Sequence, residues 1–212
     1  TSNVLAPPST PIDLGTGRTA VAVSAGREHA CVILDNGDLK CWGDDAYGQL
    51  GDGGSNTDIA APSSTAIDLG TGRTAVAVDA GGQYTCAILD NGEAKCWGEY
   101  DRGRLGYGQS GQGDASTPPS ASINFGTGRT AVAIVAGSEH TCALLNDGNL
   151  SCWGNDNKGQ LGDGAGLYDK WTPVLVAGSD TWDSSTGALV INNVTGATCT
   201  VSPALPLSLI HI

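Results

Sequence analysis

Residues 26–51 read GREHACVILDNGDLKCWGDDAYGQLG, and the stretch returns twice with few changes: GGQYTCAILDNGEAKCWGEYDRGRLG at 81–106 and GSEHTCALLNDGNLSCWGNDNKGQLG at 137–162. Cys31, Cys86 and Cys142 stand 55 and 56 residues apart, so the copies share one period. A unit of this size cannot bury its apolar face alone and must stack on its neighbours, so the repeat decides the architecture.

Working outward, each copy follows a second repeated stretch: PIDLGTGRTAVAVSAG from Pro11, AIDLGTGRTAVAVDAG from Ala66 and SINFGTGRTAVAIVAG from Ser122. Gly-Thr-Gly punctuates two β-prone runs there, which predicts strand, tight turn, strand. In the first unit the expected strands are Thr19–Ala25, His29–Leu34, Asp38–Trp42 and, after a long loop, Ala66–Leu69. Thirty-two glycines, a single Phe and no Met fit a turn-rich all-β chain with no core helix. Four antiparallel strands per unit is the pattern of a β-propeller blade.

The run from Gly26 to Gly51 resembles the repeat of the regulator of chromosome condensation family, a seven-bladed β-propeller. The likeness covers about 11–177 in three tandem copies, and it implies an open arc of three blades from such a propeller. The second copy departs from the pattern with Tyr84 in place of His29 and His140, and with GRLG in place of GQLG. The founding member of the family is a nucleotide-exchange factor that binds chromatin, an activity that nothing in these residues carries over. The expected division is 1–18 as a lead-in loop with the last strand of a preceding blade, then blades at 19–69, 70–125 and 126–177, and 178–206 as the start of a further β module or a linker.

The period breaks after Ala177. VTGATCTVSPALP, 194–206, resembles the opening of bacterial and archaeal immunoglobulin-like or cadherin-like surface modules; a degenerate fourth blade is the competing reading, because Cys199 falls 57 residues after Cys142. The last six residues, LSLIHI at 207–212, resemble the translation of a transposon-end adapter from sequencing libraries, with a plain apolar strand as the other reading. Without an initiating Met or a signal peptide at Thr1, the chain is expected to be an internal piece of a longer protein.

Six of the seven cysteines recur in pairs at one spacing: Cys31 and Cys41, Cys86 and Cys96, Cys142 and Cys152. If Asp35-Asn36-Gly37 forms a three-residue hairpin loop with Gly37 in the left-handed conformation, Cys31 and Cys41 face each other across the strands. The same holds around Gly92 and Gly148, which predicts one disulfide per hairpin and, with it, an extracellular or cell-surface setting of prokaryotic type. Small buried thiols are the alternative. Zinc is not expected, because the spacing lacks close ligand pairs. Cys199 has no partner in the chain.

Trp42, Trp97 and Trp153 recur just before a glycine, which points to blade-to-blade packing with each indole N–H on a backbone carbonyl. His29 and His140 are expected to bond blade backbone rather than to catalyse, since no nucleophile elbow accompanies them. The acidic loops, with Asp44, Asp45, Asp52 and Asp58 in the first copy, lack the ordered oxygen ladder of a calcium loop and read as Asp-Gly turns. No metal or cofactor is expected. Asn193-Val194-Thr195 is a glycosylation sequon.

Twenty-two acidic against ten basic residues give a formal charge of −12, which repels phosphate backbones and argues against nucleic acid as a partner. No apolar run reaches the ~18 residues needed to cross a bilayer. What remains is recognition: a non-catalytic scaffold that binds a protein or another macromolecule through the variable loops 44–64, 99–120 and 155–172. The second reading is a carbohydrate- or small-ligand-binding propeller using Tyr47, Tyr100, Tyr107, Tyr168 and Trp171. The third, from the family resemblance alone, is inhibition of an extracellular enzyme.

Overall fold

A computed structural model of the protein describes residues 10–177 apart from 55 and 109–112, together with the short strand segments Trp182–Asp183, Ala188–Val190 and Thr200–Val201. Three antiparallel sheets follow one another along the chain as three propeller blades. Blade 1 holds β1 (Ala20–Ala25), β2 (His29–Leu34) and β3 (Leu39–Gly43), and blade 2 holds β4 (Ala75–Ala80), β5 (Tyr84–Leu89) and β6 (Ala94–Gly98). Blade 3 holds β7 (Ala131–Ala136), β8 (His140–Leu145), β9 (Leu150–Gly154) and β10 (Lys170–Leu175).

The Asp-Asn-Gly turn sets the register of each middle hairpin. Leu34 N–H donates to the Asp38 carbonyl at 2.9 Å, and Gly37 closes the loop at φ +81°. Counting inward, Ile33 pairs with Leu39 and Cys31 with Cys41. Hydrogen-bonded and open pairs alternate along such a ladder, so the cysteines occupy an open pair, where the backbones approach most closely. Their Cα atoms lie 4.1 Å apart and a disulfide joins them; Cys86–Cys96 and Cys142–Cys152 repeat the arrangement.

The outermost segment differs between blades. The expected strand at Ala66–Leu69 is reduced to a single bond, from Ile67 N–H to the Leu39 carbonyl, preceded by an isolated bridge between Gly43 and Ile59. Blade 2 repeats this with Ile123 on Ala94 and the bridge from Gly98 to Ala115. Among the described residues, only blade 3 forms a regular fourth strand, β10. The cause lies in chain length: both IAAPSSTAI (59–67) and ASTPPSASI (115–123) carry two more residues after proline than KWTPVLV (170–176). The excess, together with proline's missing N–H, bows the chain away from the sheet.

No blade has a core of its own. Cys31, Ile33, Leu39 and Cys41 of blade 1 pack with Ala87, Leu89 and Trp97 of blade 2, and Cys86, Ile88, Ala94 and Cys96 pack with Ala143, Leu145 and Trp153 of blade 3. The hydrophobic cores are thus two inter-blade seams, as stacking of repeats requires. On the far face of blade 3, Cys142, Leu144 and Leu150 are only half-buried. Beyond Ala177 the three short segments pair antiparallel through Trp182 with Leu189 and Leu189 with Val201. Asn193, Cys199 and 207–212 lie outside the described residues.

Candidate recognition surface

Each seam is closed by the tryptophan of the later blade. Trp97 Nε1–H donates to the Gln49 carbonyl at 3.1 Å, and Trp153 Nε1–H to the Arg104 carbonyl at 2.9 Å. Both indoles are fully buried, whereas Trp42, with no described blade before it, is half-buried. The glycine ending each GQLG or GRLG motif lies under the next indole: a Cβ on Gly51 would fall 2.4 Å from Trp97 Nε1, and one on Gly106 would fall 2.7 Å from Trp153 Nε1.

The position shared by His29, Tyr84 and His140 serves the same seams. His29 Nε2 lies 2.9 Å from Thr85 Oγ1, which itself donates to the Gln49 carbonyl at 2.8 Å; the imidazole is therefore the donor. Nδ1 is buried without a partner, and burial pulls the imidazole pKa down to about 4. In the second seam Tyr84 hydroxyl donates to the His140 carbonyl at 2.7 Å and meets Thr141 Oγ1 at 2.9 Å. His140 is half-buried and its pKa is also lowered, chiefly by burial.

The second copy's two departures from the repeat meet in space. Arg104, which replaces Gln49, stands over the Tyr84 ring at 5.9 Å and pairs with Glu99. In the first copy Gln49 Nε2 donates to Asp44 at the corresponding place, 2.5 Å away. Burial holds the Glu99 carboxyl above its usual range although Arg104 opposes the shift. Near the inner edge, Asp79 ties all three blades: its Oδ1 accepts from Ser24 Oγ at 2.8 Å and its Oδ2 from Ala136 N–H at 2.6 Å.

At the end carrying the Asp-Asn-Gly turns, polar groups satisfy one another. Arg18, Arg73 and Arg129 pair with Asp35, Asp90 and Asp147. Gly37 and Gly92 also seat the following blade, since a Cβ there would lie 2.6 and 2.8 Å from Thr74 and Thr130. Gly148 makes the same turn at φ +83°.

The opposite end carries the three divergent loops, and each acidic group there first builds its own loop. Asp45 Oδ1 accepts from Leu50 N–H at 2.9 Å and Asp156 Oδ1 from Leu161 N–H at 3.0 Å, so each carboxylate closes its own loop across five residues, where the sequence predicts an Asp-Gly turn. Burial raises the Asp45 pKa. The first loop nevertheless carries four Asp and no Lys or Arg. The five loop aromatics part company. Tyr100 is buried with its ring 5.6 Å from that of Trp171, and Tyr107 takes an N–H bond from Cys96 on its hydroxyl. Tyr47 is half-buried, so Tyr168, 76% exposed beside Leu167, is the aromatic most open to a partner.

Among the described residues no group of three His, Cys, Asp or Glu could hold a metal, and no helix is long and apolar enough to cross a membrane. The residue pattern did not reveal the Arg104–Glu99 pair or the Asp79 clip. Each had a signal: Arg104 and Tyr84 were the two odd residues of one copy, and Ser24, Asp79 and Val135 differ where their neighbours repeat.

The Regulator of chromosome condensation (RCC1) repeat matches residues 20–49, 75–104 and 131–160, with a further match over 36–88. E3 ubiquitin-protein ligase HERC2 of Homo sapiens is 33% identical over 144 residues, 68% of this chain and 3% of that protein. Ultraviolet-B receptor UVR8 of Arabidopsis thaliana is 33% identical over 155 residues, 73% of this chain and 33% of that one. This chain therefore spans a third or less of either relative. Among solved structures, yeast RCC1 (Prp20) bound to Kap60 superposes with a TM-score of 0.63 at 19% identity, over 82% of this chain and 39% of that chain.

Proposed function

We propose, since the chain belongs to the regulator of chromosome condensation (RCC1) repeat family, that it is a non-catalytic scaffold which recognises a protein partner through the loop end of its blades. The observation that carries this reading is a division of labour. The repeat's polar groups are consumed by the scaffold, His29 and Tyr84 bonding across the seams and the three Arg–Asp pairs within their own blades, while the loops diverge and expose Leu167 and Tyr168. A related fold is known bound to a protein, Kap60 in the case of yeast RCC1. An acidic first loop favours a partner with a basic face.

The setting belongs to the same proposal. Three hairpin disulfides persist where the medium is oxidising, which supports a secreted or cell-surface protein. Thiol titration of denatured chain without reductant tests it: six protected cysteines are expected, and six reactive ones would overturn it. The recognition test is cross-linking capture with the intact chain and with a Leu167→Ser, Tyr168→Ser variant. A partner held by the first and lost from the second supports the loop reading. A partner captured equally by both, or a glycan-array signal that vanishes with Tyr168 in place of any protein, overturns it.

A further inference from the structure

The third strand of each blade turns a row of N–H groups outward, and each must find an acceptor. Gly43 and Gly98 donate to the carbonyls of Ile59 and Ala115. The next donors along the same edge are Cys41, Cys96 and Cys152, and the three blades treat them differently. In blade 3 the regular strand β10 brings Val174 opposite Cys152. In blade 2 the bowed segment leaves a gap, and Tyr107 folds into it, its hydroxyl accepting the Cys96 N–H at 3.0 Å. The Tyr107 ring, like Ala115, packs on the seam cluster that contains Leu105 and Ile123.

Blade 1 has the same bow, and among the described residues no side chain fills it. The residue at the place of Tyr107 is Asp52, which caps Gly54 N–H at 2.8 Å instead of turning inward. Among the described residues the Cys41 N–H has no acceptor. What remains is a cavity of about 270 Å³ beside Cys41, walled by Leu50, Ile59 and Ile67, the counterparts of the Tyr107 seat, and by Thr117 of blade 2. Its size falls just below the range of about 300–1,000 Å³ usual for drug-sized ligands, which suits a single-ring compound.

We propose that this cavity binds a small neutral phenol, with the ring against Leu50, Ile59 and Ile67 and the hydroxyl oxygen accepting the Cys41 N–H. The protein makes this complex internally in blade 2, with the side chain of Tyr107 as the bound phenol. Buried polar groups are costly to leave unpaired, so the hydroxyl sets the choice of ligand.

The probe is p-cresol, the tyrosine side chain as a free molecule, titrated into the isotopically labelled full chain while backbone amide signals are followed. The expected result is a saturable shift at Cys41 and none at Cys152. Toluene, which lacks the hydroxyl, should need about tenfold higher concentration for the same occupancy. Asp52→Tyr should abolish the p-cresol response and raise the melting temperature, because it installs the missing ring. Tyr107→Ala should open a second site, with a new saturable shift at Cys96. The proposal is overturned if Cys41 shows no saturable shift up to the solubility limit of p-cresol, if toluene binds equally, or if Asp52→Tyr leaves the response intact. Titration of the unaltered chain decides the matter even if Tyr107→Ala does not fold.

Discussion

His29 in the first seam and Tyr84 in the second occupy the same seat and reach the same kind of partner, a threonine hydroxyl on the next blade. Around them the chemistry changes in concert. The first seam pairs Gln49 with Asp44; the second replaces them with Arg104 and Glu99 and stacks the guanidinium on the phenol ring. The seam geometry therefore fixes the places of the groups and leaves their charge free. The first seam can be protonated through His29, whereas in the second burial pushes the Tyr84 hydroxyl up, away from ionisation.

The largest test asks whether the two seams are equally strong. Trp97→Ala and Trp153→Ala each remove a buried indole and one of the two hydrogen bonds to a seam carbonyl, the threonine hydroxyl keeping the other, and each should cost roughly 3–5 kcal/mol in urea unfolding. Trp42→Ala, at a half-buried indole, should cost clearly less. Equal losses at all three would show that the seams are not what stabilises the blades.

Next comes the charge that distinguishes the second seam. Arg104→Ala leaves Glu99 without its partner and should destabilise by about 3 kcal/mol or more. The double change Arg104→Gln, Glu99→Asp copies the first seam and should recover most of the loss; no recovery would mean that the two sets of groups are not interchangeable.

Acid should single out the first seam. His29 is neutral when folded, with its pKa down at about 4 against 6.5 for the free side chain. The unfolded chain therefore binds more protons across that window, so stability is complete above pH 6.5 and falls as pH drops toward 4. The loss is at most on the order of 3 kcal/mol, and below the folded pKa it grows no further. His29→Tyr should remove this part of the acid sensitivity, leaving the smaller share of His140. Identical pH profiles for the two proteins would assign the sensitivity elsewhere.

The smallest effect belongs to the clip common to both seams. Asp79→Ala gives up two hydrogen bonds, one to each neighbouring blade, and should cost about 1–2 kcal/mol. A loss confined to one seam, seen by amide exchange in a single blade, would show that Asp79 is not a shared tie.

Much of this plan was legible in the residues. The period placed the blades, and the three-residue turn placed Cys31 opposite Cys41 by counting alone. Trp-Gly recurrence pointed to an indole resting on backbone, because a repeated aromatic is part of the repeat's own packing. The fourth strand was not legible, since two residues after a proline decide between a bow and a ladder, and strand propensity does not register them. Nor could the five loop aromatics be sorted. Tyr107 and Tyr168 are the same residue type in loops of similar composition, and only the shape of the bow tells which one turns inward.

The indole bonds run one way along the chain: the carbonyl is always in the earlier blade and the tryptophan in the later one, as in Gln49 with Trp97 and Arg104 with Trp153. Synthesis also runs one way, N-terminal segments emerging first. When Trp97 leaves the ribosome, the chain that carries its acceptor and the bare glycine beneath it is already outside and free to be closed by its hairpin disulfide. Each tryptophan thus meets an acceptor that has already been made, and the seams can close in chain order.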